Sequence, residues 1–178
     1  DVSLPESIEE FCNELKSKNI TVDGFLHAIA MDKTIRNKVV KPLLEVTFDE
    51  FCDTMEVSAF SLVSLTAKLK EHGLLNDGAS ICSLSYIAAR KVTFHPYRNI
   101  SIAKAALERI TIELADELGR QNGIRVNCVR FSTYLGSKAG TATLTTEDVE
   151  HAGNKSPLGN ALPQDLAYEV AHLLRPDT

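Results

Sequence analysis

Tryptophan is absent from this chain of 178 residues, and aromatic residues make up only 6% of it. No apolar run approaches the ~18–20 residues that a membrane-crossing helix needs, and the opening residues show no charged-then-apolar leader pattern, so no membrane span is expected. Basic charge is not in excess. Nineteen Lys and Arg stand against 24 Asp and Glu, a net charge of −5, which argues against nucleic acid as a partner. Cysteine pairs are missing too. Cys12, Cys52, Cys82 and Cys128 lie far apart with no CxxC between them, which argues against a disulfide framework and for a reducing, cytoplasmic setting. His27, His72, His95, His151 and His172 show neither HxxxH nor HExxH spacing, so no metal site is expected.

The residues present describe one ordinary domain, 44% hydrophobic and 24% charged, long enough to bury a core. Helical and strand patterns alternate along it. Ser3-Leu4-Pro5-Glu6 has capping-box form, and Ile8, Phe11, Cys12 and Leu15 follow at helical spacing, predicting a helix over 4–17. Val22 to Ala30 is a short apolar run, read as a buried strand. Thr47-Phe48-Asp49-Glu50 is a second capping box. The stretch after it, to Lys70, is apolar nearly all round, which marks a helix buried in the core or in a subunit interface. A strand is predicted at Ala79–Tyr86, a helix from Asn99 to Leu118 and a strand at Gly123–Phe131. A polar loop comes next, then a short helix from Thr145 and a last helix from Pro163 to Leu174. This alternation predicts an α/β fold with a parallel sheet covered on both faces. Ligands of such sheets sit beyond the carboxyl ends of the strands. The places to inspect therefore follow Ala30, Leu84 and Phe131.

Tyr97 precedes Lys104 by seven residues, close to two turns at ~3.6 residues per turn, which predicts both side chains on one helix face. A cation beside a phenol favours the phenolate, so a lowered Tyr97 pKa is expected, suited to meeting a developing oxyanion. Tyr86 ends the preceding strand.

Ser85-Tyr86, Pro96-Tyr97 and Ala103-Lys104-Ala105-Ala106-Leu107-Glu108 together resemble the active-site segment of the bacterial enoyl-acyl-carrier-protein reductases. These are NADH-using members of the short-chain dehydrogenase/reductase superfamily. That branch has Tyr-x6-Lys in place of the ordinary Tyr-x3-Lys, and Ile100, four residues before Lys104, cannot serve as an acid. Asp23–Ala30 resembles the family's fourth strand, Asp53–Ser61 its central helix, Gly123–Asn127 its sixth strand and Ser156–Gly159 its C-terminal region. The resemblance covers nearly the whole chain and implies that residues 1–178 form a single, partial Rossmann-like, doubly wound reductase domain.

The resemblance implies that this protein reduces trans-2-enoyl thioesters in the elongation cycle of bacterial fatty acid synthesis. It implies a catalytic set of Tyr86, Tyr97 and Lys104. Tyr97 would bond the thioester enolate oxygen, Lys104 would hold the nicotinamide ribose, and Tyr86 would line the acyl site. Cofactor contacts would come from Asp1 and Val2 (adenine side), from Ile29, Ala30 and Lys104, and from the loop Tyr134, Leu135, Gly136, Ser137 and Lys138. NADH is the implied cofactor, with NADPH left open. The substrate would arrive on an acidic acyl carrier protein, met by a basic patch at Arg36, Lys38 and Lys41 or at Arg90, Lys91 and Arg98. A homotetramer built on helices 47–70 and 99–118 is implied as well.

The sequence departs from the family at several points. One extra residue lies between Tyr86 and Tyr97. Ser132-Thr133 stands where the family has Gly-Pro, Gly136 replaces a threonine, and Asp32 falls at a position usually small and apolar. The family's glycine-rich phosphate turn does not occur. The chain begins at the end of that fold's third strand and stops before its last, so the expectation is part of a longer protein, with two strand–helix units of ~30 residues each before it. Two other readings stay open: another short-chain reductase, opposed by Ile100, and a non-catalytic or structural paralogue, favoured by the absent glycine turn.

Overall fold

The computed structural model describes residues 1–95, 97–131, 134 and 136–177, without the side chains of Arg36, Lys138 and Ala139. Helix α1 (Pro5–Ser17) starts one residue later than the expected box would place it. Pro5 occupies the first helical position, where its missing N–H costs nothing, and Leu4 is the N-cap without a side-chain bond. Ser3 turns away: its N–H and hydroxyl both donate to the Asp1 carboxylate, at 2.9 and 2.8 Å. The box at Thr47 forms as expected, opening α2 (Phe48–Met55). The helix then widens into a π-helical segment, Glu56–Phe60, and continues as α3 (Ser61–Glu71).

Strand β1 (Val22–His27) ends three residues earlier than predicted, which leaves Ala28–Ala30 as a loop beyond its carboxyl end. A small hairpin, β2 (Ile35–Arg36) and β3 (Val39–Val40), was not expected. It turns through Asn37 and Lys38, both at positive φ (50° and 64°), the geometry that two-residue hairpins favour. Strand β4 runs Leu75–Tyr86 and β5 runs Arg125–Phe131. Between them lies α4 (Asn99–Asn122). Three helices close the chain: α5 (Lys138–Thr143), inside the stretch read as a polar loop, α6 (Thr146–Asn154) and α7 (Pro163–Leu174).

The main sheet has the order β1-β4-β5, and both pairings are parallel. Phe25 to His27 pair with Ile81 to Ser83, and those in turn with Val126 to Cys128. Gly24 pairs with Ser80, and a Cβ there would stand 2.7 Å from the Ser80 carbonyl oxygen, so the close strand approach requires glycine. Neighbouring residues of a strand face opposite ways. Ile81 enters the core with Leu62 of α3 and Leu107 of α4, and the Ser83 hydroxyl lies 3.1 Å from that of Thr111 on α4. Ser80 points the other way, donating to the Leu173 carbonyl of α7 at 2.6 Å. Helices thus cover both faces, and the fold is the Rossmann-like, doubly wound α/β arrangement expected.

One packing detail sets the site. The segment after β1 is held by the π-helical turn: the buried Ser58 hydroxyl accepts from the Met31 N–H and donates to the Met31 carbonyl, both at 2.9 Å. One turn on, the Ser61 hydroxyl sits 2.8 Å from His27 Nε2. Ile29 and Ala30 are therefore fixed at the strand end.

Candidate active site

The carboxyl ends of β1, β4 and β5 open onto a cavity of about 470 Å³, the position where open parallel sheets bind ligands. Ala28, Ile29 and Ala30 form one wall, and Leu84 with Tyr86 another. Tyr97, Ile100 and Lys104 reach it from the start of α4, and Phe131, Tyr134, Ser137 and Thr143 from the far side. The Tyr86 and Tyr97 rings meet edge to face, with centroids 5.2 Å apart.

Lys104 is 8% exposed. Its ammonium donates to the carbonyl oxygens of Ile29, at 3.2 Å, and Leu84, at 2.7 Å. It thereby ties the ends of β1 and β4 together from α4. Burial pulls its pKa down to about 8.

The expected geometry of the tyrosine and lysine is corrected in two respects. Tyr97 does not share a helix face with Lys104, because α4 begins only at Asn99. Between them Arg98 holds φ 45° and ψ −110°, an uncommon conformation for a residue with a side chain. The Tyr97 pKa is raised, not lowered. Burial is the main cause; the Thr143 hydroxyl works against it, and Tyr86 and Asp148 add to it. Lys104 is not among these influences; its ammonium donates to the two backbone carbonyls. At neutral pH Tyr97 is therefore a neutral phenol, a hydrogen-bond donor.

Of the other residues expected at the site, Ile29, Ala30, Tyr134 and Ser137 line the cavity. Ser137 also caps α5, its hydroxyl accepting from the Gly140 N–H at 2.9 Å. Gly136 does not line the cavity, but a side chain there would overlap the Tyr134 ring. Leu135 and the Ser132-Thr133 pair lie outside the described residues, as does the Lys138 side chain. Asp1 and Val2 line neither described cavity; Asp1 spends its carboxylate on Ser3. Of the two basic clusters, Lys41 is paired with Glu50 at 2.8 Å and Arg90 with Glu108 at 2.8 Å.

Sequence reasoning missed a second cavity of about 530 Å³ that shares Tyr86, Phe131 and Leu144 with the first. Lys91, His95, Asp148 and Lys155 line it. His95 packs edge to face on Tyr97 at 5.0 Å, with Nδ1 3.6 Å from Asp148. The only signal in the sequence was the position of His95, two residues before Tyr97. No group of three or more metal-ligating side chains occurs among the described residues.

Glu108, one turn beyond Lys104, accepts hydrogen bonds from Ser85, Arg90 and Arg130. The Arg130 guanidinium is the main cause holding its carboxyl at about 2, with Ser85 and Arg90 helping against burial. A carboxylate with a lowered folded pKa lends stability above its unfolded value, 4.5, and loses it as the pH falls through about 2. Stability of Glu108→Gln relative to the parent, followed by urea unfolding across that range, is expected to show the parent's advantage shrinking steadily toward acid.

A family profile described as Enoyl-(Acyl carrier protein) reductase matches residues 1–178. The NADH enoyl-acyl-carrier-protein reductase FabI of Rickettsia bellii is 35% identical over 176 residues, 97% of this chain and 64% of that protein. The chloroplastic enzyme of Arabidopsis thaliana is 31% identical, over 94% of this chain and 42% of its own. A crystal structure of a FabI–NADH complex from Alistipes finegoldii superposes with a TM-score of 0.90 at 29% identity, covering all of this chain and 62% of that one. The chain thus spans less than two thirds of these relatives.

Proposed function

We propose that this chain, a member of the enoyl-acyl-carrier-protein reductase family, carries the catalytic part of an NADH-dependent reductase of trans-2-enoyl thioesters in fatty acid elongation. The observation that carries the reading is the single cavity joining Tyr86, Tyr97 and Lys104. The residues present suit half of a dinucleotide. Ala28, Ile29 and Ala30 offer an apolar wall to a flat ring, and a buried ammonium beside them can bond ribose hydroxyls. Asp1 and Val2 would face the adenine end, and the segment 134–138 the nicotinamide side.

A reduced nicotinamide dinucleotide held there would supply a hydride to the β-carbon of the enoyl thioester. Negative charge then gathers on the thioester oxygen. Tyr97, held neutral by burial, donates a hydrogen bond to that oxygen, and the enolate then takes a solvent-derived proton at its α-carbon to give the saturated thioester. The Tyr86 ring fixes Tyr97 through the edge contact and borders the acyl chain. Lys104 keeps the ends of β1 and β4 in register and adds a positive field. Ile100 lines the cavity where the commoner Tyr-x3-Lys enzymes carry their acid, which disfavours carbonyl reduction. The test is NADH consumption by the protein at its full natural length with crotonyl thioesters; a protein that binds NADH and leaves the thioester untouched would refute the reading.

The same reading includes an acyl carrier protein as substrate carrier, a cytoplasmic location and a homotetramer. No helix among the described residues is long and apolar enough to cross a membrane. Phe48 on α2, Phe60 at the end of the π-helical segment, and Ile102 and Ile112 on α4 are exposed, as an assembly face built from these helices requires. Sedimentation at micromolar concentration is expected to give the mass of four chains, and a monomer would contradict the assembly. Of the two basic clusters, Lys91 lines the second cavity, and it is the cation that would meet an acidic carrier. Lys91→Glu is expected to raise KM for the carrier-bound substrate and spare the coenzyme A thioester, because rim charges act on encounter. Equal effects on both substrates would remove Lys91 from the docking surface.

A further inference from the structure

We propose that Glu108 is a positioning residue, which orients Tyr97 by tying the roots of both flanking loops to α4. It lines neither cavity, so it touches no bound reactant. Glu108 is 7% exposed, and its carboxylate accepts four hydrogen bonds from three segments. Oε1 takes Ser85 Oγ at 2.8 Å and Arg130 Nε at 2.7 Å; Oε2 takes Arg90 Nε at 2.8 Å and Arg130 Nη2 at 2.9 Å.

Each donor adjoins the site. Ser85 precedes Tyr86. Arg130 precedes Phe131, whose ring meets Tyr134 edge to face at 6.0 Å. Arg90 lies on the loop that runs from Tyr86 to Tyr97. Glu108 and Lys104 stand one turn apart on α4, so they hold adjacent points of β4: Lys104 the Leu84 carbonyl and Glu108 the Ser85 hydroxyl. Glu108 is buried but both guanidiniums are half-exposed, and ion pairs open to solvent add little stability. What the ions add is direction, since four directed bonds fix where both loops leave the sheet. Tyr97 needs such support, because the uncommon backbone of Arg98 beside it persists only where its surroundings enforce it.

The kinetic half of this inference rests on the reductase reading; the structural half does not. The test uses the protein at its full natural length, with Glu108→Gln and, against the chance that it fails to fold, Arg90→Gln, whose side chain is largely exposed. With NADH and crotonyl thioester, Glu108→Gln is expected to lower kcat about tenfold or more, the scale of a small misplacement of a catalytic group, with KM for NADH within about twofold. Arg90→Gln moves the same way by less. In a Tyr97→Phe background the loss is expected to vanish, because a residue acting through Tyr97 has nothing left to orient. A second readout needs no turnover: 3-fluorotyrosine placed at position 97 gives one fluorine resonance, expected to shift and broaden in both variants. The same label at position 168 on α7 stays unmoved. An unchanged resonance at 97, or a kcat loss that persists undiminished in the Tyr97→Phe background, would overturn the proposal. If the parent consumes no NADH, the reductase reading fails, and the fluorine resonance alone decides whether Glu108 positions Tyr97.

Discussion

Tyr97→Phe is expected to lower kcat on the NADH-dependent reduction of a crotonyl thioester by about 10²–10³-fold, a loss of ~3–4 kcal/mol of transition-state stabilisation. The magnitude follows from the burial that raises the Tyr97 pKa. A phenol that resists ionisation is fully protonated at working pH. In surroundings of low dielectric its hydrogen bond to a developing oxyanion is worth more than the same bond in water. Phenylalanine keeps the ring and its 5.2 Å edge contact with Tyr86, so packing is preserved and only the donor is lost. The effect should fall on kcat, because the charge that Tyr97 meets exists only in the transition state. A rise in KM at unchanged kcat would instead make Tyr97 a substrate-binding group.

Lys104→Ala is expected to act mainly on the cofactor, raising KM for NADH by about 10–100-fold, the scale of ~1.5–3 kcal/mol for a hydrogen bond from a charged donor. It carries a structural cost as well. The carbonyl oxygens of Ile29 and Leu84 lose the ammonium that bridges them. Lys104→Arg separates the two roles: it restores a cation, but its planar fork cannot reproduce a point donor between two converging carbonyls. Binding of NADH measured by fluorescence, beside steady-state kinetics, reads this directly. Unchanged NADH affinity in Lys104→Ala would remove Lys104 from the cofactor site.

Long, periodic elements were legible in the sequence. β1, β4, β5 and α4 each carry enough apolar residues at one period to declare themselves, and the parallel order follows from their alternation. The misses have physical reasons. β2 and β3 are two residues each, and their turn uses Asn37 and Lys38 at positive φ with no glycine to announce it. α5 is six small or polar residues with no apolar stripe. The box at Ser3 gave way to Pro5, whose fixed φ chose the helix start.

At the site, the identities of Tyr86, Tyr97 and Lys104 were legible through the family resemblance, and the structure gathers them in one cavity. Their electrostatics were not. Residue spacing placed Lys104 beside Tyr97, but the ammonium goes to two carbonyls at the ends of neighbouring strands that are far apart in sequence, and burial then governs both pKa values in opposite directions. The convergence of Ser85, Arg90 and Arg130 on Glu108 was not legible, since nothing local says that three segments meet at one carboxylate.

The central claim is that this cavity reduces a carbon–carbon double bond conjugated to a thioester. The most direct measurement follows the reacting hydrogen itself: a single turnover of the protein at its full natural length, with 4-deuterated NADH and crotonyl thioester, read by mass spectrometry and NMR of the product. The account predicts a butyryl thioester with deuterium at the β-carbon and a solvent hydrogen at the α-carbon. Deuterium on the carbonyl carbon with the double bond intact, or no transfer while NADH binds, would contradict it.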